Sequence, residues 1–157
     1  MAKVLIVYYS RTGNTKKMAL SIEEGIREEG VDVVVKDVKE TKAEELLEYD
    51  GIILGSPTYY GLPAGEIKKL LDESVKFHGR LDGKVGGAFA SSGGIAGGNE
   101  TTILAIIEAL LVHGMIIQGN PGGDHYGPVS IGNPDDKVLK ACKDYGKRVA
   151  RLIKRLQ

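Results

Sequence analysis

Val7-Tyr8-Tyr9-Ser10-Arg11-Thr12-Gly13-Asn14-Thr15 is the stretch on which the reading of this chain turns. To its left lies Lys3-Val4-Leu5-Ile6-Val7, an apolar, β-branched run without polar alternation. Such a run reads as a strand covered on both faces. To its right, Met18, Ala19, Ile22 and Ile26 recur at helical spacing, and Gly30 ends the pattern. The six residues Ser10–Thr15 between them carry three hydroxyls, a glycine and an asparagine. One cap is enough to start a helix. A run of hydroxyls beside the free amides of a helix start is better read as an anion site, since amides and dipole both favour a phosphate. Gly13 lets the backbone come close to a ligand.

Further along, Val31–Val38 and Asp50–Gly55 read as strands, 64–77 as a helix, Lys84–Ala90 as a strand and 99–113 as a long apolar helix. Met115–Gln118 is a short fifth strand, followed by an irregular stretch and a last helix over 135–156. On that helix Val138, Cys142, Tyr145, Val149, Leu152 and Leu156 step by three and four along one stripe, which places the sole cysteine in the core. Alternation of strands and helices in a chain of 157 residues predicts one α/β domain spanning residues 1–157. The expected sheet is parallel and five-stranded, with helices on both faces. Such sheets bind ligands beyond the carboxyl ends of their strands, so function is expected on the loops after strands one, three and four.

Composition narrows the classes. Lys plus Arg and Asp plus Glu are 21 each, which gives no general attraction to nucleic acid or an anionic membrane. The locally basic tail from Lys147 to Arg155 reads as a solvated helix end favourable to the dipole. One cysteine permits no internal disulfide, no apolar run is long enough to span a bilayer, and no secretory signal is evident. The expectation is a cytoplasmic protein without membrane insertion. No Gly-x-x-x-x-Gly-Lys occurs, nor a Gly-x-Gly-x-x-Gly after strand one, which disfavours ATP and dinucleotide loops. Strands one and three end in Tyr9-Ser10 and Gly55-Ser56, not in the acidic residues of a receiver domain. A phosphatase of this architecture would need a cysteine in the first loop. No histidines sit at metal-ligand spacing with a carboxylate, so no metal is expected.

The other two loops carry ligand chemistry of their own. Pro57-Thr58-Tyr59-Tyr60-Gly61 offers two adjacent tyrosines as a stacking platform for a flat ring. Ser91-Ser92-Gly93-Gly94, with Gly97 and Gly98, puts four glycines in six residues, so amides there can approach and donate to ring carbonyls.

Taken together these motifs resemble a known superfamily. Ser10-Arg11-Thr12-Gly13-Asn14-Thr15 is similar to the Ser/Thr-x-Thr-Gly-x-Thr loop with which flavodoxins wrap the phosphate of FMN. The second half resembles WrbA-type NAD(P)H:quinone oxidoreductases, through Gly97-Gly98-Asn99-Glu100, His113-Gly114-Met115 and Tyr126-Gly127. The resemblance covers essentially the whole chain. It implies a flavodoxin-like three-layer sandwich with strand order 2-1-3-4-5, and FMN as cofactor. It implies NAD(P)H and a quinone as substrates, or redox proteins as partners if the chain is an electron carrier. By the same resemblance His113 lies near the flavin and orients substrate or moves a proton. Tyr60, on the stacking loop, is the second candidate catalytic residue, and His125, on the loop Asp124-His125-Tyr126-Gly127, is expected beside the cofactor. His78, at a helix end, reads as structural. WrbA-type chains carry an insertion between strands two and three and a longer segment after strand five, which help build their tetramer. This chain lacks both, which leaves dimer or tetramer open. Near-zero net charge contrasts with the strong acidity of carrier flavodoxins and favours the enzyme.

Overall fold

The computed structural model describes Met1–Gln157. The first run forms strand β1 (Lys3–Tyr8), followed by helix α1 (Asn14–Glu28) and strand β2 (Asp32–Asp37). Strand β3 (Gly51–Tyr59), a two-residue strand β4 (Leu62–Pro63), helix α2 (Gly65–Glu73), strand β5 (Val85–Ser92) and helix α3 (Asn99–Val112) come next. Short strands β6 (Ile116–Ile117) and β7 (Val129–Ile131) precede helix α4 (Asp136–Leu156). The sheet runs β2-β1-β3-β5-β6, every pair in that series parallel. This is the expected 2-1-3-4-5 order, with β5 and β6 as the fourth and fifth strands.

Alternation along β1 builds both layers. Val4, Ile6 and Tyr8 enter one apolar cluster with α1 and α4, while Leu5 and Val7 enter another with α2 and α3. A strand buried on both faces has no room for polar alternation, which is why the run is continuously apolar. On the first face α1 and α4 approach until backbone meets backbone. A Cβ at Gly25 would strike the carbonyl of Lys143, and one at Gly146 that of Ile22. The basic tail is largely consumed here. Lys143 and Lys147 pair with Glu28, and Arg151 and Lys154 with Glu29. Cys142 is fully buried in this layer, and desolvation pushes its thiol up to about 12.

Several boundaries differ from expectation for tertiary reasons. β3 runs on through Pro57 to Tyr59, and β5 to Ser92, because Ser56 and Pro57 pair with Ala90 and Ser91. The helix expected over 64–77 tightens after Glu73 into a 3-10 turn over Ser74–Phe77. The fifth sheet position is split. β6 pairs with Val85 and Gly86, and β7, inside the stretch expected to be irregular, pairs with Ala90–Ser92. Residues 118–128 leave the sheet between them, and Arg148 holds that excursion by donating to the Gly119 carbonyl at 2.6 Å. On α4 the innermost apolar residue near the end is Ile153, whereas Leu156, expected on the buried stripe, is half exposed.

Candidate functional site

Three loops converge at the carboxyl ends of β1, β3 and β5. In the first, Ser10 Oγ accepts hydrogen bonds from the amides of Gly13 (3.1 Å) and Lys16 (3.3 Å), folding the loop back over the start of α1. Gly13 occupies the N-cap with φ 99°, a left-handed backbone that glycine adopts freely. Glycine at the N-cap offers no side chain, and Ser10 takes only the Lys16 amide of the first turn, so the amides of Asn14 and Thr15 face the loop without a side-chain partner. Thr15 Oγ1 shares a buried 2.9 Å hydrogen bond with Ser91 Oγ, which ties the first loop to the third.

In the second loop, Thr58–Tyr59 and Leu62–Pro63 form a hairpin. Its two central residues, Tyr60 (φ 51°) and Gly61 (φ 76°), are both left-handed, as the tight primed hairpin turn requires. Tyr60 is thereby thrust fully into solvent at the rim. Tyr59 turns inward, its ring edge-on to Tyr9 with centroids 6.4 Å apart. The hairpin is pinned to α3, since Thr101 Oγ1 donates to the Gly61 carbonyl (2.6 Å) and Thr102 Oγ1 to Thr58 Oγ1 (3.1 Å). Gly98 packs against the hairpin too, and a Cβ there would lie 2.7 Å from Gly61 Cα.

In the third loop, Ser92 Oγ donates to the Gly94 carbonyl and accepts from Asn99 Nδ2, both at 3.1 Å. Gly98, with φ 98°, starts α3 without a side-chain cap, as Gly13 does for α1.

The three loops enclose a cleft of about 220 Å³. Arg11, Thr12, Asn14 and Thr15 form one wall, Pro57, Thr58 and Tyr59 a second, and Ser91, Ser92 and Gly93 a third. Arg11 is the only charged group on these walls. Gly132, after β7, completes the lining and was not anticipated from the sequence. Its amide donates to the Ser92 carbonyl at 2.8 Å. The Gly-Asn-Pro turn at 132–134, closing the short alternation Val129-Ser130-Ile131, is the signal that could have exposed it.

Of the other anticipated residues, Ser10, Gly13, Tyr60, Gly61, Gly94, Gly97 and Gly98 shape the loops or the rim without lining the cleft. His125 is on the 118–128 excursion, its Nδ1 2.7 Å from the Asn120 carbonyl. It lines a separate cavity of about 110 Å³ with Glu100 and Tyr126.

His113 is not brought to the cleft within one chain. α3 starts beside the loops and carries His113 about 20 Å along its axis, at 1.5 Å per residue, to the opposite end of the sheet. There the Gly114 carbonyl accepts from the amide of Gly83, in the turn that precedes β5. His113 Nε2 lies 2.7 Å from Ser74 Oγ in a buried contact, and His78 is the exposed neighbour of its ring. The expected catalytic place for His113 beside the loops is therefore corrected.

A sequence profile described as Flavodoxin matches residues 6–100. The chain belongs to the flavodoxin family. An NAD(P)H dehydrogenase (quinone) from Archaeoglobus fulgidus is 36% identical to it over 190 aligned positions, covering 99% of this chain and all of that relative. A flavodoxin from Aquifex aeolicus is 40% identical over 162 positions, covering 98% of this chain and 88% of that one. The crystal structure of a WrbA-like flavodoxin from Agrobacterium tumefaciens superposes with a TM-score of 0.85 over both whole chains at 25% identity.

Membership of the flavodoxin family implies a flavin cofactor, and the residues present fit one. At the start of α1 the amides of Asn14 and Thr15, which no side chain takes, are open to an anion. A Cβ at Gly13 or Gly93 would meet no atom within 4 Å, so open space faces both loops. Tyr59 contributes a buried hydroxyl that no protein group satisfies. No helix is long and apolar enough to cross a membrane.

Proposed function

We propose that this protein binds FMN in the three-loop cleft and uses it to pass electrons from NAD(P)H to a quinone. The phosphate is assigned to Ser10–Thr15, where the first-turn amides of α1 and the Thr12 hydroxyl donate and Arg11 offsets charge. The ring is assigned between Pro57–Gly61 and Ser91–Gly98, where Tyr60 presents a flat face at the rim and glycine amides are free to donate to ring carbonyls. His125 stands one cavity away and is assigned to the outer edge of the site. A flavin held there would supply the two-electron, hydride-accepting chemistry, while Arg11, Thr12, the α1 amides and the tyrosine loop would hold and frame it for a nicotinamide and a quinone.

The observation that carries the enzyme reading is the absence of any carboxylate from the cleft walls, with Arg11 the single charge. A carboxylate about 6 Å from a ring gaining negative charge would oppose reduction by about 3 kcal/mol at an effective dielectric near 20. Without a carboxylate on these walls, reduction of a ring held there would meet less opposition. The exposed position of Tyr60 leaves the rim open to a flat small molecule.

A carrier reading has its own support. The alignment to the Aquifex aeolicus flavodoxin spans 162 positions, close to this chain's 157 residues, whereas that to the quinone dehydrogenase needs 190. Anaerobic mixing of the flavin-loaded protein with NADH or NADPH separates the two. Rapid bleaching of the oxidised flavin band, with turnover on benzoquinone, is the expected result. Failure of both nucleotides to bleach it, with retained electron exchange with a redox protein, would reverse the order of the two readings.

A further inference from the structure

The hairpin of the second loop is held differently at its base and at its tip. At the base, Thr58 pairs with Pro63 and Tyr59 with Leu62, the Ala64 amide donates to Ser56 Oγ at 2.8 Å, and Thr102 Oγ1 donates to Thr58 Oγ1. At the tip, Tyr60 is fully exposed, so no neighbour in the chain packs against its ring, and the backbone beneath it decides where the ring stands. That backbone is left-handed, at φ 51°, which crowds the Cβ of a bulky L-residue and is relieved by an escape to negative φ.

One side-chain hydrogen bond reaches the tip. Thr101 Oγ1 lies 2.6 Å from the Gly61 carbonyl and 2.8 Å from that of Gly98, and a hydroxyl has one proton to give. The Gly98 carbonyl already takes the Thr102 amide at 3.0 Å, so the proton goes to Gly61, the shorter contact. Thr101 stands in the first turn of α3, and its branched Cβ restricts its torsion, which makes it a stiff strut. Gly98, the residue that ends the third loop and begins α3, packs against Gly61 beside it. The bond therefore ties the tyrosine tip to the glycine loop across from it.

We infer that Thr101 is the positioning residue of the tyrosine platform: its hydroxyl keeps the Tyr60–Gly61 turn left-handed and so sets the Tyr60 ring at one height relative to the third loop. The inference rests on the flavin reading above, and it gives Thr101 no contact with the flavin itself. A ring already in place spares the ligand the cost of ordering it on binding. Without the latch the tip relaxes, the ring leaves its place, and binding must restore both. The effect of Thr101 on the ligand therefore runs through the side chain of Tyr60 and vanishes when that ring is removed. The base of the hairpin, with its own hydrogen bonds, stays in place.

The test is Thr101→Val, which keeps the branched shape and removes the donor, against Thr101→Ser, which keeps the hydroxyl. Ligand-free protein is titrated with FMN and followed by quenching of flavin fluorescence. The dissociation constant is expected to rise about three- to tenfold in Thr101→Val, the loss of one ordinary hydrogen bond, and to stay within about twofold of wild type in Thr101→Ser. On a Tyr60→Asn background there is no ring to place and the turn is tolerated, so adding Thr101→Val shifts the constant by less than about twofold. In ligand-free Thr101→Val, the amides of residues 60–62 exchange with solvent several-fold faster than in wild type, as followed by NMR, while the urea midpoint stays close to that of wild type. Unchanged FMN affinity in Thr101→Val would overturn the inference. So would an equal loss on the Tyr60→Asn background, or a loss that Thr101→Ser shares. If wild-type protein binds no FMN, the flavin reading falls, and exchange at the turn still decides the latch: faster exchange in Thr101→Val supports it, and unchanged exchange overturns it.

Discussion

The seam between α1 and α4 and the three-loop end of the sheet spend their polar groups in opposite ways. In the seam, Lys143, Lys147, Arg151 and Lys154 all find glutamates on or beside α1, and the helix backbones touch at Gly25 and Gly146. At the loops, the side chains of Arg11, Thr12 and Asn14 make no hydrogen bond within the chain, Tyr59 has an orphaned hydroxyl and Tyr60 holds a left-handed backbone. A region selected only for stability would not leave donors idle around a cleft. The contrast separates a layer that holds the fold from an edge kept ready for a ligand, and substitutions can test each side of it.

Gly146→Ala should have the largest effect. Its Cβ would be driven into the Ile22 carbonyl, which belongs to a helix backbone and cannot swing aside. α1 and α4 must separate, and overpacking of this kind costs about 1–3 kcal/mol and more where backbone has to move. Urea denaturation should show a lower midpoint, while protein that remains folded keeps its affinity for FMN. A midpoint equal to wild type would mean that the seam is loosely packed and would remove half of the contrast.

Thr12→Ala combined with Thr15→Ala works on the other side. Two hydroxyls leave the first loop, one of them also the tie to Ser91. FMN binding should weaken by roughly 1–3 kcal/mol while stability changes less. Unchanged affinity in a flavin-fluorescence titration would sink the phosphate assignment.

The seam and the loops were not equally legible in the sequence. β1 and α1 could be read directly, because an unbroken β-branched run and a helical apolar period each have one interpretation. The phosphate loop could be read too, since its hydroxyls and glycine are contiguous. The end of β3 at Tyr59 was hidden, because it depends on the ladder between Ser56–Pro57 and Ala90–Ser91, residues far apart in the chain. β7 has three residues, an alternation too short to stand out without the Gly-Asn-Pro turn that closes it, and Gly132 came with it. His113 was misplaced because resemblance carries no length, whereas the 14 residues of α3 carry the histidine to the other end of the sheet. The close approach at Gly25 and Gly146 was not recognised either, since glycine inside a helix reads as a weakness until its neighbour is known.

Tyr60→Asn sharpens the contrast within one residue. A bulky side chain at φ 51° is strained, whereas asparagine tolerates left-handed backbone well. The apoprotein should gain about 1 kcal/mol in urea denaturation and lose flavin affinity several-fold. Gain without loss would show that the exposed ring serves nothing at the site. Loss without gain would show that the turn accommodates tyrosine without cost.

The smallest effect is the acid dependence expected from His113, which lies at neither the seam nor the loops. Ser74 Oγ is 2.6 Å from the Leu71 carbonyl and so spends its proton there. It must therefore accept from His113 Nε2, which leaves Nδ1 buried, unprotonated and without a partner. Burial first, and the nearby His78 second, hold this imidazole below its ordinary value of 6.5. A folded chain that prefers the neutral ring binds fewer protons than the unfolded one. Stability is therefore fully present above about pH 6.5 and is lost as pH falls from there toward the depressed folded value. His113→Gln keeps a donor for Ser74 and removes the titration, so its denaturation midpoint should decline less between pH 7 and 5 than that of wild type. Because this histidine is distant from the cleft, flavin affinity at pH 7 should not change with it. A large loss of affinity in His113→Gln would return the residue to the site and would place a neighbouring subunit's copy against the flavin.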